Sequence, residues 1–173
     1  AQDAGALGDA IEEARTARAL AEAWGRLPLV AEALAREEVD VRDIAAVISG
    51  ELRDLTRRAA KIAEDEFRAA GRGDPPCPYC YLVLGSGGRG ESLLALDQDN
   101  AIVFAEGEPG GPEDRWFAEL GQRVSAILDT AGAKYCAGGV MASHDAWRMS
   151  LARWRRRVAS WMGRLDPEDL LNV

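Results

Sequence analysis

Apolar residues recur at every third or fourth position through the first part of the chain, which is the spacing of an amphipathic helix. They form two series, first Leu20, Ala23, Trp24, Leu27, Val30, Ala33 and Leu34, then Val41, Ile44, Ile48, Leu52, Leu55, Ala59 and Ile62. Asp40 precedes the second series and is a favourable N-cap residue. Gly71, Gly73 and the prolines from Pro75 onwards end the pattern. We therefore predict an N-terminal helical segment over residues 1–73, with its apolar stripes packed in a core.

Beyond residue 73 the pattern changes to short β-branched and aromatic runs separated by glycine-rich turns. We predict strands at 79–84, 101–104 and 135–141, and helices at 91–96, 112–131 and 143–165. The first strand is predicted to be buried, and the last helix carries Trp147, Trp154 and Trp161 on one stripe. Such a stripe is typical of core packing and less often of a surface that stacks bases. The pattern predicts an α+β fold in which residues 74–173 form the second unit.

The chain is acidic, with 21 basic and 29 acidic side chains and a formal net charge of −8. That balance argues against nucleic-acid binding, which requires basic side chains to neutralise phosphates. The sequence has no targeting segment and no apolar run near the roughly 20 residues that cross a bilayer. Its three cysteines do not suggest a disulfide framework. We therefore expect a cytoplasmic protein with no nucleic-acid or membrane partner and, because the chain begins without Met, a piece of a longer one.

A glycine-rich stretch follows the first predicted strand and reads GSGGRG from Gly85 to Gly90. Where a strand turns into a helix, free backbone N–H groups and the positive end of the helix dipole favour a phosphate. Glycine lets the backbone approach the ligand closely, and the Ser86 hydroxyl adds a donor. We therefore predict that Gly85 and Ser86 bind a phosphate group.

Two acidic residues, Asp97 and Asp99, open the next predicted strand. Because alternate residues of a strand project from one face, their Cα atoms would lie about 6–7 Å apart on that face. Two carboxylates at this spacing suit Mg²⁺, which also binds phosphate oxygens. The glycine turn and the acid pair together predict a unit that holds a phosphate and a metal ion.

The string GSGGRGESLLALDQDNAIVF resembles the signature of the polymerase-β-like nucleotidyltransferases. More closely, the chain is similar to the nucleotidyltransferase family related to the amino-terminal domain of protein-PII uridylyltransferase. The resemblance implies a small mixed sheet flanked by helices, with Gly85 and Ser86 on the triphosphate of ATP or UTP. Asp97 and Asp99 would then hold Mg²⁺ and carry the catalysis. It also implies transfer of a nucleoside monophosphate to a hydroxyl of a protein or a small molecule, inside a longer signal-transduction protein with regulatory domains.

The resemblance further assigns Arg89 and Glu91 to the nucleotide site, as an ion pair that orients the glycine turn; the alternative is an ordinary surface pair. One feature of the family is missing. Such enzymes use a third carboxylate on a later strand, and residues 134–141 contain no acidic side chain. Asp145 lies just beyond this segment and is a weak substitute.

Three alternatives remain open from the sequence. Gly85, Gly87 and Gly90 also fit the G-x-G-x-x-G pattern of dinucleotide sites, with Glu106 as the acid for the ribose. A second alternative is a zinc site formed by Cys77, Cys80, Cys136 and His144. The third is a nucleotide-sensing domain without turnover, in which the N-terminal helices mediate assembly into a homo-oligomer.

Overall fold

The structure is a computed structural model and describes residues 2–164. Four helices come first: α1 (Gln2–Glu13), α2 (Ala17–Trp24), α3 (Leu27–Arg36) and α4 (Val41–Ala69). The remaining elements are β1 (Tyr79–Val83), α5 (Gly85–Arg89), β2 (Asp97–Gln98), β3 (Asn100–Phe104), α6 (Pro112–Ala131), β4 (Lys134–Tyr135), β5 (Arg148–Ser150) and α7 (Leu151–Arg164). A single 3₁₀ turn, Asp145–Trp147, precedes β5.

The N-terminal helical segment is confirmed. Asp40 caps α4, since its Oδ1 accepts a hydrogen bond of 2.8 Å from the backbone N–H of Arg42. Helix α4 runs for 29 residues and buries most of the predicted stripe, including Ile48, Leu55 and Ile62, whereas Val41 at its start is 69% exposed. Its 29 residues span about 44 Å at 1.5 Å per residue, so one helix can contact most of the molecule.

Five strands form two small sheets. In the larger sheet the order is β1-β3-β5, with β1 antiparallel and β5 parallel to β3. In the smaller sheet β2 pairs with β4 in parallel. The chain is therefore α+β with a mixed sheet, as the sequence and its resemblance predicted.

Helix α6 packs against the N-terminal helices and contributes to the same hydrophobic core as α4. Phe117, Leu120 and Ile127 of this helix are fully buried, and Phe117 stacks on Phe104 of β3 with ring centroids 4.8 Å apart. The helix begins at Pro112 and ends at Gly132, which adopts a left-handed conformation with φ 115°, as predicted. The helices thus share one core with a face of the larger sheet, while Ala101, Met149 and Trp154 belong to a smaller, separate cluster.

Three secondary-structure predictions after residue 84 are wrong. The helix predicted at 91–96 instead occupies the glycines themselves, as α5, and ends at Gly90 with φ 78°. The strand predicted at 135–141 stops at Tyr135, because the backbone turns at Gly138 and Gly139, the latter with φ 71°. The third strand of the larger sheet is β5, which the sequence analysis placed inside the last helix.

The strand β1 is less buried than predicted because it lies at the edge of its sheet and exposes Cys80. One face of this sheet is covered by the three tryptophans, which pack with Leu82 of β1 and Val103 of β3 and have ring centroids 6.1–6.2 Å apart. Trp154 is buried and its Nε1 donates to the carbonyl oxygen of Ile102, at 3.0 Å. Trp147 precedes β5 and is not on the helix, and Leu165, the end of the predicted stripe, lies outside the described residues.

Across residues 2–164, none of the helices combines the length and apolar character that crossing a bilayer requires.

Candidate active site

The acid pair lies where the chain passes from one sheet to the other. Asp97 belongs to β2, Asp99 follows it, and β3 begins at the next residue. The single strand predicted here is divided because β2 pairs with β4 whereas β3 pairs with β1 and β5. The alternation of a strand is nevertheless kept: Asp97 is exposed and Asp99 half-buried, while Gln98 and Asn100 are buried.

The two buried amides fix the positions of the acids. Gln98 Nε2 donates to the carbonyl oxygens of Ser125 on α6 and Ala133 after it, both at 2.9 Å. Asn100 Oδ1 accepts from the backbone N–H of Ala142 at 2.8 Å. Hydrogen bonds of this kind are costly to break once their groups are buried. In the sequence Asp-Gln-Asp-Asn, the two acids therefore lie on one side, and the two amide side chains hold the segment in place by hydrogen bonds on the other side. The sequence alone did not indicate this role of Gln98 and Asn100.

The glycine turn lies directly beside Asp99. The antiparallel register places Val83 opposite Asn100, and the backbone N–H of Leu84 donates to the Asp99 carbonyl oxygen at 2.8 Å. Gly85 has a φ of 57°, and a Cβ at this position would overlap the Asp99 carboxylate. The structure thus brings the turn and the acid pair to one place, as the sequence analysis expected.

The other residues assigned to the nucleotide site lie on the same turn. Ser86 is exposed, and its Oγ lies 3.3 Å from that of Ser92. Arg89 Nε donates to Glu91 Oε2 at 3.0 Å, and both side chains are largely exposed. The ion pair forms, but an exposed pair contributes little to stability, about 0–1 kcal/mol.

Cys136 completes a cluster with the acids. The pairing of Asp97 with Lys134 and of Gln98 with Tyr135 brings Cys136 to the level of Asp99. One ligand atom from each of Asp97, Asp99 and Cys136 lies within 4.8 Å of the other two. Partial burial, with a smaller contribution from the Asp97 charge, raises the pKa of Asp99. Burial also raises the pKa of the Cys136 thiol.

This donor set fits a divalent cation. Ligand atoms of a bound cation lie about 2.0–2.3 Å from it, and therefore up to about 4.5 Å from one another. The 4.8 Å within which the three ligand atoms lie is close to this limit. The two carboxylates suit Mg²⁺, and they lie beside the turn expected to hold phosphate.

Asp145 and two of the cysteines lie outside the cluster. Asp145 is turned away, since its carboxylate binds Arg148 Nη2 at 2.5 Å. It does not replace the third carboxylate. Cys77 is buried and Cys80 is exposed on β1, and neither joins the one group of three metal-ligating side chains in residues 2–164. The zinc site of Cys77, Cys80, Cys136 and His144, one of the alternatives left open by the sequence, is therefore not formed among the described residues.

The dinucleotide alternative is also inconsistent with the fold. A dinucleotide site of the G-x-G-x-x-G type requires parallel strands joined by a crossover helix. Here β1 and β3, the strands on either side of the glycines, are antiparallel neighbours. The acid pair, which that alternative leaves unexplained, faces the glycines instead.

A separate cleft of about 840 Å³ lies between α1, α4 and β1. Arg53 lines it and reaches the back of the glycine turn, where its Nη1 donates to the Gly87 carbonyl oxygen at 3.4 Å. The acid pair is not part of its lining. The possible metal-ligating groups lie instead at the side of the turn that faces Asp99.

A family model described as "Putative nucleotidyltransferase DUF294" matches residues 25–168. Comparisons with curated proteins and with solved structures give no match. The matched region covers most of the chain and includes the glycine turn, the acid pair and Cys136. The chain therefore belongs to the family "Putative nucleotidyltransferase DUF294".

Proposed function

We propose that this domain transfers a nucleoside monophosphate from ATP or UTP to a hydroxyl group of a protein or small molecule, with Mg²⁺ as the cofactor. Its place would be in a longer signal-transduction protein, beside regulatory domains. The observation that supports it is the approach of Gly85 to the Asp99 carboxylate in a chain of this family. That approach puts a backbone turn suited to phosphate beside acids suited to a cation.

Each residue has a distinct role in the proposal. Gly85 and Ser86 bind the triphosphate, because the first N–H groups of a helix have no partner within it. Asp97 and Asp99 hold Mg²⁺, which when bound offsets the negative charge of the triphosphate. Arg89 and Glu91 hold the outer side of the turn through their ion pair.

The reaction breaks one bond and forms one. The acceptor hydroxyl oxygen attacks the α-phosphorus, the bond from that phosphorus to the bridging oxygen of the β-phosphate breaks, and pyrophosphate leaves with the electron pair. The hydroxyl proton passes to solvent. The side chains contribute mainly by positioning the triphosphate against the acceptor, which accounts for most of the catalysis in phosphoryl-transfer enzymes.

The experiment compares the wild-type chain with the double variant Asp97→Asn, Asp99→Asn. Isothermal titration calorimetry should show ATP or UTP binding that requires Mg²⁺ in the wild type. The double variant should bind at least about a hundredfold more weakly, since two charged ligands are lost. A matched control is Glu106→Gln with Glu108→Gln, which removes two charges at the same spacing from exposed positions after β3. Equal binding by the wild type and the double variant would rule out the proposed site.

A sensor without turnover is the second candidate. It is supported by the lack of an acidic residue in 134–141 and by the ion pair that turns Asp145 away. Both candidates predict Mg²⁺-dependent binding, so binding does not separate them. Pyrophosphate release with candidate acceptors does: a transferase releases it in proportion to the modified acceptor, and a sensor releases none.

A further inference from the structure

The cysteine in the acid cluster differs from the other two cysteines of the chain. Cys77 is buried and contacts the Glu106 carbonyl oxygen, and Cys80 faces solvent from an edge strand. Cys136 instead lies half-buried beside two carboxylates, with Gly138 beneath it, where a Cβ would come to 3.6 Å from its Sγ. The fold therefore places a soft sulfur donor among hard oxygen donors.

The position of this sulfur follows from the backbone. β2 and β4 pair in parallel, and Asp99 and Cys136 are the residues that directly follow these two strands. One ligand atom of each lies within 4.8 Å of the other and of an Asp97 carboxylate oxygen. The three donors thus come from two segments that are held in register by the Gln98 hydrogen bond to Ala133.

Three protein ligands with an open fourth position are the arrangement of catalytic zinc sites. Thiolate selects zinc and other soft ions over Mg²⁺, which prefers oxygen and keeps several waters. A site with two carboxylates and one thiolate is therefore better matched to zinc than to Mg²⁺. The open position would face the glycine turn, which lies beside Asp99.

We propose that Cys136 Sγ is the third protein ligand of the cation site and that the site binds zinc-like, thiophilic divalent ions more tightly than Mg²⁺. This inference refines the proposed function, because it concerns the same cluster. Binding releases the thiol proton to solvent and forms one metal–sulfur bond, with no change of oxidation state. Cys136 takes the place that a third carboxylate has in related enzymes.

The probe is Cd²⁺, whose bond to a thiolate absorbs in the ultraviolet. Titration of the wild-type chain should give this absorbance at one equivalent of Cd²⁺. Cys136→Ser should lose it, as should the double variant Asp97→Asn, Asp99→Asn, because the sulfur alone does not make the site. Cys80→Ser is the matched control and should keep it, since that thiol is exposed and far from the acids.

Calorimetry gives a second readout. The Zn²⁺ affinity of Cys136→Ser should fall about tenfold or more, whereas its Mg²⁺ affinity should change little. Cys136→Asp should bind Mg²⁺ more tightly than the wild type and give no cadmium–thiolate absorbance. Absorbance that persists in Cys136→Ser, or is lost in Cys80→Ser, would overturn the inference.

The inference and the proposed function can fail separately. Mg²⁺-dependent ATP binding without a cadmium–thiolate band would leave the function standing and contradict the role of Cys136. A cadmium–thiolate band that requires Cys136 and both acids, in a chain that binds neither ATP nor UTP, would support the role of Cys136 and contradict the proposed function.

Discussion

The N-terminal helices and the loops around the acid pair hold their residues in place by different interactions. In α4 the fixed positions are apolar, such as Leu55 and Ile62, and they are held by burial against neighbouring helices. Around Asp99 the fixed positions are polar or glycine: Gln98 and Asn100 are held by hydrogen bonds, and Gly85 by its closeness to the carboxylate. The helices can therefore tolerate changes of surface chemistry, whereas the loops depend on individual atoms.

This difference separates stability from function in the molecule. Burial energy is spread over many side chains, and each apolar group contributes in proportion to the area it removes from water. The geometry of the site depends instead on a few contacts that contribute less to stability but decide where the donors lie. Three substitutions test this separation.

The largest effect is expected from Leu55→Ala in α4. Leu55 is completely buried, so the variant should lose about 2–5 kcal/mol of unfolding free energy through lost burial and a cavity. Urea unfolding measures this loss. Below its unfolding transition the variant should keep its metal affinity within about twofold, because Leu55 lies in the helical core and is not one of the metal-ligating side chains. Leu29→Ala is the control, since Leu29 is 68% exposed and should change stability by no more than about 0.5 kcal/mol.

An intermediate effect on stability is expected from Gly85→Ala. An alanine at φ 57° is strained, and its Cβ would displace Asp99, for a combined cost of about 1–3 kcal/mol. Metal affinity should fall about tenfold or more, because the carboxylate leaves the cluster. Gly90→Ala is the matched control: φ is 78° there, but open space surrounds the position. The Gly90→Ala variant should have a similar backbone strain but keep the metal affinity of the wild type. Equal metal affinity in both variants would show that the contact between the turn and Asp99 is unimportant.

The smallest effect, of opposite sign, is expected from Glu51→Gln. Partial burial and the nearby Asp54 raise the pKa of Glu51, and one of its oxygens is buried without a hydrogen-bond partner. A raised carboxyl pKa means that folding disfavours the ionised form, so stability falls as pH rises through that pKa. The variant should be more stable than the wild type at pH 7, by up to about 1 kcal/mol after solvent screening, and equal below about pH 4.

Thermal unfolding at the two pH values measures this difference. Glu22→Gln is the control, because Glu22 forms only an exposed ion pair with Arg18 and should leave stability almost unchanged at both. A Glu51→Gln variant that is less stable at pH 7 would show that this carboxylate stabilises the helices through a partner.

The same difference explains what the sequence could predict. The stripe of α4, the Asp40 cap and the start of α6 at Pro112 depend on neighbours within a few residues, so local patterns contain them. Strand β5 has only three residues and lies within a helical spacing of tryptophans, so tertiary pairing with β3 decides its conformation. The helix after β1 was misplaced because it is formed by the glycine-rich residues 85–89, whose helix propensity is low, and it ends before Gly90, which has a left-handed conformation.

Within the site, the motif predicted the acids and the glycine turn but not Cys136. Asp97 and Asp99 are two residues apart, whereas their sulfur neighbour is distant in the chain. Their proximity arises from the pairing of β2 with β4, strands of two residues each, for which no periodic signal exists. Gln98 was missed for the related reason that its acceptors lie on and after α6.

Gln98 also connects the two regions mechanically. Its side-chain amide donates hydrogen bonds to one carbonyl oxygen of α6 and to another just after the end of that helix. Helix α6 in turn packs on α2 and α4. Any rotation of α6 would pull the backbone between the two aspartates and alter the distance between their carboxylates. The Gln98 side chain would thus transmit a movement of the helical bundle to the carboxylates that are proposed to bind the cation.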